Sequence, residues 1–576
     1  MSNIEVKRRN VTEILPPMAG LGLLARVYAG RNVNSPAEID YSLKKLIPPQ
    51  QLSGVKEAAE MLAEAVTAGA SIMIVGDFDA DGATSCAVAI KSLRAMGAQQ
   101  VDYLVPNRFQ FGYGLSPEIV GVAAMQQPDV LITVDNGISS IAGVHAAQAM
   151  GMSVIITDHH LPGDELPTAD VIVNPNMPYD KFPSKNLAGV GVIFYVMLAL
   201  RAQLRSMGWF EQANIAEPNM SQFLDLVALG TVADVVPLDR NNRILVQQGL
   251  QRIRAGQACA GVNALLKVGK REFAHIASSD MGFVIGPRLN AAGRLEDISV
   301  GIECLLATDE HRALTLAMQL DELNQMRKEV EQDMRLEANK LVEELSVSKR
   351  GNPVGYCLSN QNWHQGVVGL VASRIKEQTQ RPVAVLAPAD NAKPESEWKG
   401  SLRSVTGVHI RDALVRVDAL HPGLLTKFGG HAMAAGLSLN YDKLDGFKKV
   451  FIDVLTDFTA GHDWDQIVWT DGELSEQDFT LAAAESLQSH SPWGQGFPAP
   501  VFDGHFEVLD ARIVGETHVK MRLRSRNSDE DVDAICFGYL QKRKELPRDL
   551  IHAVYRLDVN HYQGRKTLQL MIEHIL

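Results

Sequence analysis

Three apolar runs that each end on carboxylates constrain this chain more than any other feature. Ile72–Val75 leads into Gly76-Asp77-Phe78-Asp79-Ala80-Asp81-Gly82, Asp129–Val134 ends on Asp135-Asn136-Gly137, and Ser153–Thr157 ends on Asp158-His159-His160. Short aliphatic, β-branched runs bounded by glycine and acid read as buried strands. Between and around them, Ala83–Met96 and the Ala-rich Gly143–Met150 read as helices. Alternation of strand and helix at this spacing predicts an α/β fold with a mainly parallel sheet and right-handed crossovers. Such sheets bind ligands outside the carboxyl ends of their strands. Asp77, Asp79, Asp81, Asp135, His159 and His160 are all expected there.

Carboxylates crowded at strand ends repel one another unless a cation lies among them. A calcium-binding EF-hand loop also begins Asp-x-Asp-x-Asp-Gly, but it needs Glu at its twelfth position, which here is Val88. A solvated acidic turn is the remaining plain alternative. Asp234 adds a fourth acid position. It follows a helix expected over Ser221–Val232, in the apolar setting Gly230–Leu238. An unpartnered Asp there is costly to desolvate, so metal ligand, helix cap and buried ion pair are its open readings. Mixed carboxylate and imidazole donors suit Mn²⁺ or Mg²⁺. Six such side chains suffice for two ions, with Asp135 the candidate to bridge them. Paired ions activate water and stabilise the leaving oxygen of a phosphoryl displacement. Asp158 and His160 are the catalytic candidates, His160 binding the scissile phosphate or moving a proton. If the chain is extended there, His159 and His160 point apart.

The chain has 576 residues, enough for about three or four domains. Its net charge of −13 argues against nucleic-acid binding over the whole surface. A local basic track is still compatible with it, because phosphate contacts act within a Debye length of ~8–10 Å. Met1–Arg9 shows no apolar leader, and the nearly apolar stretch Gly189–Leu200 is too short to span a bilayer. Cys86, Cys259, Cys304, Cys357 and Cys536 are scattered, which points to buried thiols in a reducing cytoplasm.

Asp309–Leu345 contains neither Gly nor Pro and predicts one helix of roughly 55 Å, a connector between lobes or half of a coiled coil. A second α/β unit begins at Gly355–Leu358. Its Gly429-Gly430-His431 would present amides to an anion at a helix start. Beyond Asp463 the chain turns to strands. In His518–Arg526, period-2 alternation puts Lys520, Arg522, Arg524 and Arg526 on one face and Val519, Met521 and Leu523 on the other. That face is either a phosphate-backbone track or a solvated face paired with Asp529, Glu530, Asp531 and Asp533. Phe537, Tyr539 and Tyr562 are candidates for base stacking or for the core.

The Asp77-x-Asp79-x-Asp81-Gly82 loop with Asp135, Asp158-His159-His160 and Asp234 resembles the DHH phosphoesterase superfamily. Pro106–Phe109, Gly112–Leu115, Gly286–Arg294 and Gly429–Gly436 are similar to the RecJ family within it, from about residue 20 onward. The resemblance implies metal-dependent 5′→3′ exonucleolytic hydrolysis of single-stranded DNA, releasing nucleoside 5′-monophosphates, in recombination and repair. It implies a DHH catalytic domain (46–300) after an N-terminal segment (1–45), a connecting helix (301–348), a smaller DHH-associated domain (349–462) and a C-terminal OB-type barrel (463–576). Arg108, Arg288, Ser401 and Arg403 would hold the 5′ phosphate, and Gly430 and His431 would contact substrate. Arg288, in a Gly-Pro-Arg turn, reads equally as a donor to carbonyls. A single-strand-binding protein and a helicase are the implied partners, with no membrane. Other functions of the same superfamily, hydrolysis of pyrophosphate, cyclic dinucleotides or short oligonucleotides, and a non-catalytic replication scaffold are the competing readings.

Overall fold

The computed structural model describes residues 4–11, 14, 16–106, 114–348, 353–390, 392–393, 395, 397–462, 464–490, 492–526, 530–543, 545–562 and 564–576. Arg108, most of the two motifs around it, Asp529 and the side chain of Tyr562 lie outside that set. The chain forms two compact units. One comprises residues 4–293, 298–320 and 467–576, the other residues 294–297 and 321–466.

The larger unit opens with β1 (Ile4–Arg8) and then builds a five-stranded sheet from β2 (Ser71–Gly76), β3 (Gln100–Leu104), β4 (Val130–Val134), β5 (Ser153–Thr157) and β6 (Val171–Val173). Every pairing is parallel and the order is β3-β2-β4-β5-β6. Ile74, Val75, Ile132, Ile155 and Ile156 are fully buried, as expected of strands covered on both faces. Sequence periodicity missed the edge strands β3 and β6, which are short and carry exposed or half-buried positions. The chain winds one way from β2 to β3 and the other way to β4, so the order reverses between β2 and β4. Ligand crevices form at such a reversal.

The long helix is a single element, Glu310–Ser348, of 39 residues and so about 58 Å. In the smaller unit its Met334, Ala338 and Val342 pack with Trp363, Val371 and Ile375, and Glu337 accepts from Trp363 Nε1 at 2.7 Å. This burial against its own unit makes the helix a connector with a core-facing stripe rather than half of a coiled coil. The unit's sheet comprises β7 (Tyr356–Ser359), β8 (Val383–Pro388), β9 (Glu397–Arg403), β10 (Lys427–Gly430) and β11 (Ala434–Asn440), in the order β10-β11-β9-β8-β7.

The chain re-enters the larger unit through β12 (Gln466–Thr470), which pairs with β1. Arg8 bonds Asp503 at 2.7 Å, and Arg31 grips Asp471 at 2.7 and 3.0 Å. A closed barrel follows: β13 (Phe502–Val514), β14 (His518–Ser525), β15 (Asp531–Cys536), β16 (Leu550–Tyr562) and β17 (Arg565–Ile575). Its order is β13-β14-β15-β17-β16, with β15 and β17 parallel, the five-stranded arrangement of an OB-type barrel.

Candidate metal centre

Register explains why the acids meet. Gly76 pairs with Val134, Val134 with Thr157, and Thr157 with Val173. Asp77, Asp135, Asp158 and Asn174 are therefore the next residues out of four adjacent strands, in one row at the carboxyl edge. Asp79 follows Asp77 as the N-cap of the helix Ala80–Ala95, and Asp81 lies in the first turn of that helix. Asp79 accepts from the amides of Asp81 (2.9 Å) and Gly82 (3.0 Å), which a helix start leaves unpaired. Asp234 is the C-cap of the helix Leu224–Ala233.

Ligand atoms of Asp77, Asp79 and Asp135 lie within 4.8 Å of one another. The same holds for Asp81, His159 and Asp234, and for Asp135, His159 and His160. Asp135 and His159 each belong to two of these groups. His159 Nε2 is 3.1 Å from Asp135 Oδ1 and 3.5 Å from Asp234 Oδ2, yet it is buried and makes no hydrogen bond. The two histidines do not diverge as an extended backbone would require. The chain bends at His160, and the rings stand 4.5 Å apart, tilted by 55°.

Electrostatics fit a cation. Burial and the charge of Asp79 push the Asp81 carboxyl up to about 7, against the pull of two backbone amides. Burial and the neighbouring aspartates push Asp135 and Asp234 well above the ordinary carboxylate range. Burial and the charge of His160 lower His159 to about 4, leaving a neutral imidazole that can donate a lone pair. Carboxylates strained toward protonation beside a neutral imidazole are what a hard divalent ion would relieve.

Asp158 stands apart from the three groups. Its Oδ1 accepts from His160 Nδ1 at 2.7 Å and from the amide of His159 at 2.7 Å, and its Oδ2 from the amide of Ile138 at 2.9 Å. Burial alone would raise this carboxyl, but the hydrogen bond and charge of His160, with the amides of Ile138 and His160, hold it below the usual range. Burial opposes a proton on His160. The Asp158 hydrogen bond and charge, with Asp77 and Asp79, overcome that and lift it to about 9.

Several supporting residues had no role assigned from the sequence. Gly189 and Gly230 let helices close on the carboxylates. A Cβ at Gly189 would lie 2.5 Å from that of Asp135, and one at Gly230 would lie 2.7 Å from Asp81 Oδ1. The amides of Gly189 (2.6 Å) and Val190 (3.0 Å), at a helix N-terminus, bind the Asp81 carboxylate. Asn174 and Asn176 hold the carbonyls of His160 (2.9 Å) and His159 (2.5 Å), and Asn290 accepts from the amide of Ala80 at 2.8 Å. Asp135 has φ 62° and Val235 φ 63°; the latter is a strained conformation for a β-branched residue. The segment after Val235 is gripped from the loop before the barrel. The Leu238 amide donates to the Gln495 carbonyl (2.7 Å), Gly494 and Gly496 close on Leu238 and Pro237, and Arg243 lies over the Phe497 ring at 4.2 Å.

Of the residues expected to bind substrate, Arg288 donates to the Val284 carbonyl at 2.6 Å. In the smaller unit Ser401 and Arg403 lie two apart on β9, joined by a 2.8 Å hydrogen bond, beside Gly369 in the first turn of the helix Val368–Thr379. Gly430 ends β10, not a helix. It has φ 138° and leads into a tight hairpin in which the His431 amide donates to the Ala434 carbonyl at 2.8 Å. The expected helix start is corrected accordingly, because the run after His431 alternates into β11. In the barrel, Val519, Met521 and Leu523 are buried and the cations lie on the outer face. Lys520 meets Asp533 at 2.9 Å, and Arg522 and Arg524 meet Asp531 at 3.1 and 3.0 Å. Tyr539 is buried, whereas Phe537 is exposed, edge-on to His518.

A parallel sheet whose carboxyl edge carries overlapping carboxylate–imidazole groups at the strand-order reversal defines a metal-dependent hydrolase of the DHH type. Residues 71–231 match the DHH family N-terminal domain, 337–457 the DHHA1 domain and 470–574 the RecJ OB domain. The single-stranded-DNA-specific exonucleases RecJ of Dickeya dadantii and Escherichia coli are each 50% identical to this chain, covering 99% of it and 99% of their own lengths. The crystal structure of RecJ in complex with Mn²⁺ from Thermus thermophilus superposes with a TM-score of 0.79 at 28% identity, covering 100% of this chain and 79% of that one. The chain belongs to the RecJ family.

Proposed function

We propose that the protein is a metal-dependent exonuclease that degrades single-stranded DNA from the 5′ end and releases nucleoside 5′-monophosphates. The convergence of Asp77, Asp79, Asp81, Asp135, His159 and Asp234 within two linked ligand groups carries this reading. These side chains, with Asp135 common to two of the ligand groups, would hold Mn²⁺ or Mg²⁺, which would supply the Lewis acidity that makes water nucleophilic at neutral pH and offsets charge on the leaving oxygen. The protein's own groups do the rest. Asp158 fixes the His160 ring through Nδ1 and favours its protonated form, so that Nε2–H can donate to a phosphate oxygen of the substrate. His159 stays neutral as a ligand, oriented through the backbone clamp of Asn176.

In the smaller unit, Ser401 and Arg403 beside a helix N-terminus, with Gly430 and His431 at the β10–β11 hairpin of the same sheet, are assigned to terminal-phosphate and backbone contacts. Arg108 and Arg288 are assigned to phosphate as well. Lys520, Arg522 and Arg524 can contribute only by exchanging Asp531 and Asp533 for phosphate.

A cytoplasmic role in recombination and repair is what the family resemblance implies; the five cysteines are free, and among the described residues no helix is long and apolar enough to cross a membrane. A helicase and a single-strand-binding protein would supply the strand. The deciding experiment is Mn²⁺-dependent digestion of single strands carrying a 5′ or a 3′ label, with dinucleotides and pyrophosphate in parallel. Early release of the 5′ label as mononucleotide is expected. Early release of the 3′ label, or turnover of the small substrates alone, would reject the reading.

A further inference from the structure

The surface beyond Asp234 has features that metal binding does not require. Val235 is 63% exposed. The helix turn before it packs on the π-turn Met281–Ile285. A Cβ on Gly282 would lie 3.4 Å from Val232 Cγ1, and one on Gly286 3.2 Å from Ala233 Cβ. Within that π-turn Val284 and Ile285 are buried, but Phe283 is 83% exposed, more than any other large hydrophobic side chain among the described residues. π-turns are rare and recur at functional sites.

The same π-turn touches a cationic loop. Val284 fills the space beside Gly269, where any Cβ would collide with it. Around Gly269 stand Lys267, Lys270 and Arg271, all exposed. Lys267 and Arg271 line a cleft of about 760 Å³ together with Arg254, Glu272 and Phe273, and Lys270 precedes Arg271 in the same loop. Arg271 shares Asp280 at 2.8 Å, and Arg254 donates to the Ile276 carbonyl at 2.9 Å. Lys267 and Lys270 form no ion pair among the described residues, unlike the barrel cations Lys520, Arg522 and Arg524. Four cations here face the carboxylates of Glu272 and Asp280, in a chain whose net charge is −13.

We propose that this surface holds the part of the single strand that extends from the nucleotide at the metal cluster. Phe283 stacks on a base, and Lys267, Lys270 and Arg271 take phosphates along the cleft. The inference rests on the function proposed above. It adds a physical basis for strand selectivity: an unpaired base offers a free face to Phe283, whereas a duplex offers phosphates alone.

The test is binding of a fluorescent single-stranded oligonucleotide to the full chain in EDTA, over a range of salt, beside a digestion assay of the wild type. Lys267→Glu with Lys270→Glu should weaken binding roughly tenfold and flatten the slope of log K against log salt by about 1.4, at ~0.7 per phosphate. Phe283→Ala should weaken it at least about fivefold with the slope unchanged. Lys44→Glu with Lys45→Glu, the same charge change elsewhere on the surface, should stay within about twofold. If the wild type digests single strands while the lysine and phenylalanine variants bind as it does, or the control loses as much, this inference alone falls. Equal duplex binding that Phe283→Ala weakens as strongly would also overturn it. A wild type that neither binds nor digests single strands removes the function and this inference together.

Discussion

The carboxyl edge of the parallel sheet and the outer face of β14 both announce themselves as runs of like charge, and they meet opposite fates on folding. At the sheet edge, Asp77, Asp79, Asp81, Asp135 and Asp234 are brought together with His159 and His160, and burial intensifies the repulsion among the carboxylates. On β14, register sets Arg522 opposite Asp533 on one side and Asp510 on the other, and Arg524 opposite Asp531 and Glu507. The first region keeps an unsatisfied potential that a divalent cation can relieve; the second spends most of its own on cross-strand pairs. Alternation within a strand tells which residues share a face. Only the neighbouring strands tell whether that face is still charged.

The largest expected effect lies at the sheet edge. Asp135→Asn should lower turnover on the order of 10³-fold or more, while raising the melting temperature of the metal-free protein because a buried repulsion is removed. A lower melting temperature would mean that the carboxylates are not in conflict, and the contrast with β14 would collapse. Next, ending the chain at residue 462 should do more than remove the barrel. With the Gln495 contact to Leu238 gone, the Mn²⁺ concentration for half-maximal hydrolysis should rise about 10–100-fold, the range seen when supporting residues of metal sites are lost. An unchanged metal requirement would show that Asp234 needs no support from that loop.

A smaller effect tests β14 directly. Asp531→Asn with Asp533→Asn frees Lys520, Arg522 and Arg524 and should steepen the salt dependence of strand binding by up to about 2, at ~0.7 per phosphate. An unaltered slope would show that this face never meets the strand.

The smallest effect concerns the junction of β1 with the barrel. Burial would raise Asp503, but Arg8, Thr470 and His552 hold it below the usual carboxylate range. A depressed folded value contributes stability above the unfolded value of ~3.9, and this is lost as pH falls through the folded one. Arg8→Ala should therefore destabilise by roughly 1 kcal/mol at pH 7, the guanidinium being half exposed and screened. The difference should vanish in strong acid, as urea titrations at the two pH values would reveal. A difference that persisted there would assign the effect to packing.

Legibility followed the range of the interactions. The strands that carry Asp77, Asp135 and Asp158, the helix from residue 310 and the alternation of β14 were readable because each depends on neighbours in the chain. The edge strands β3 and β6 were not, being short and half-exposed, nor was the hairpin at Gly430. Gly189, Gly230, Asn174 and Asn176 drew no role from the sequence, and Asn290 appeared only within the Gly286–Arg294 resemblance, since each acts on a residue far along the chain.

The sequence by itself determined that acids and histidines would leave a parallel sheet at one edge, because strand direction and strand ends are local properties. It also determined that Lys520, Arg522 and Arg524 would share one face of β14. The tertiary structure alone decided which charges met opposite ones: the aspartates of the sheet edge met one another and two histidines, the cations of β14 met Asp531 and Asp533, and Lys267 and Lys270 form no ion pair among the described residues. Electrostatic energy depends on distances through space, and those are set only when strands far apart in the chain come into register.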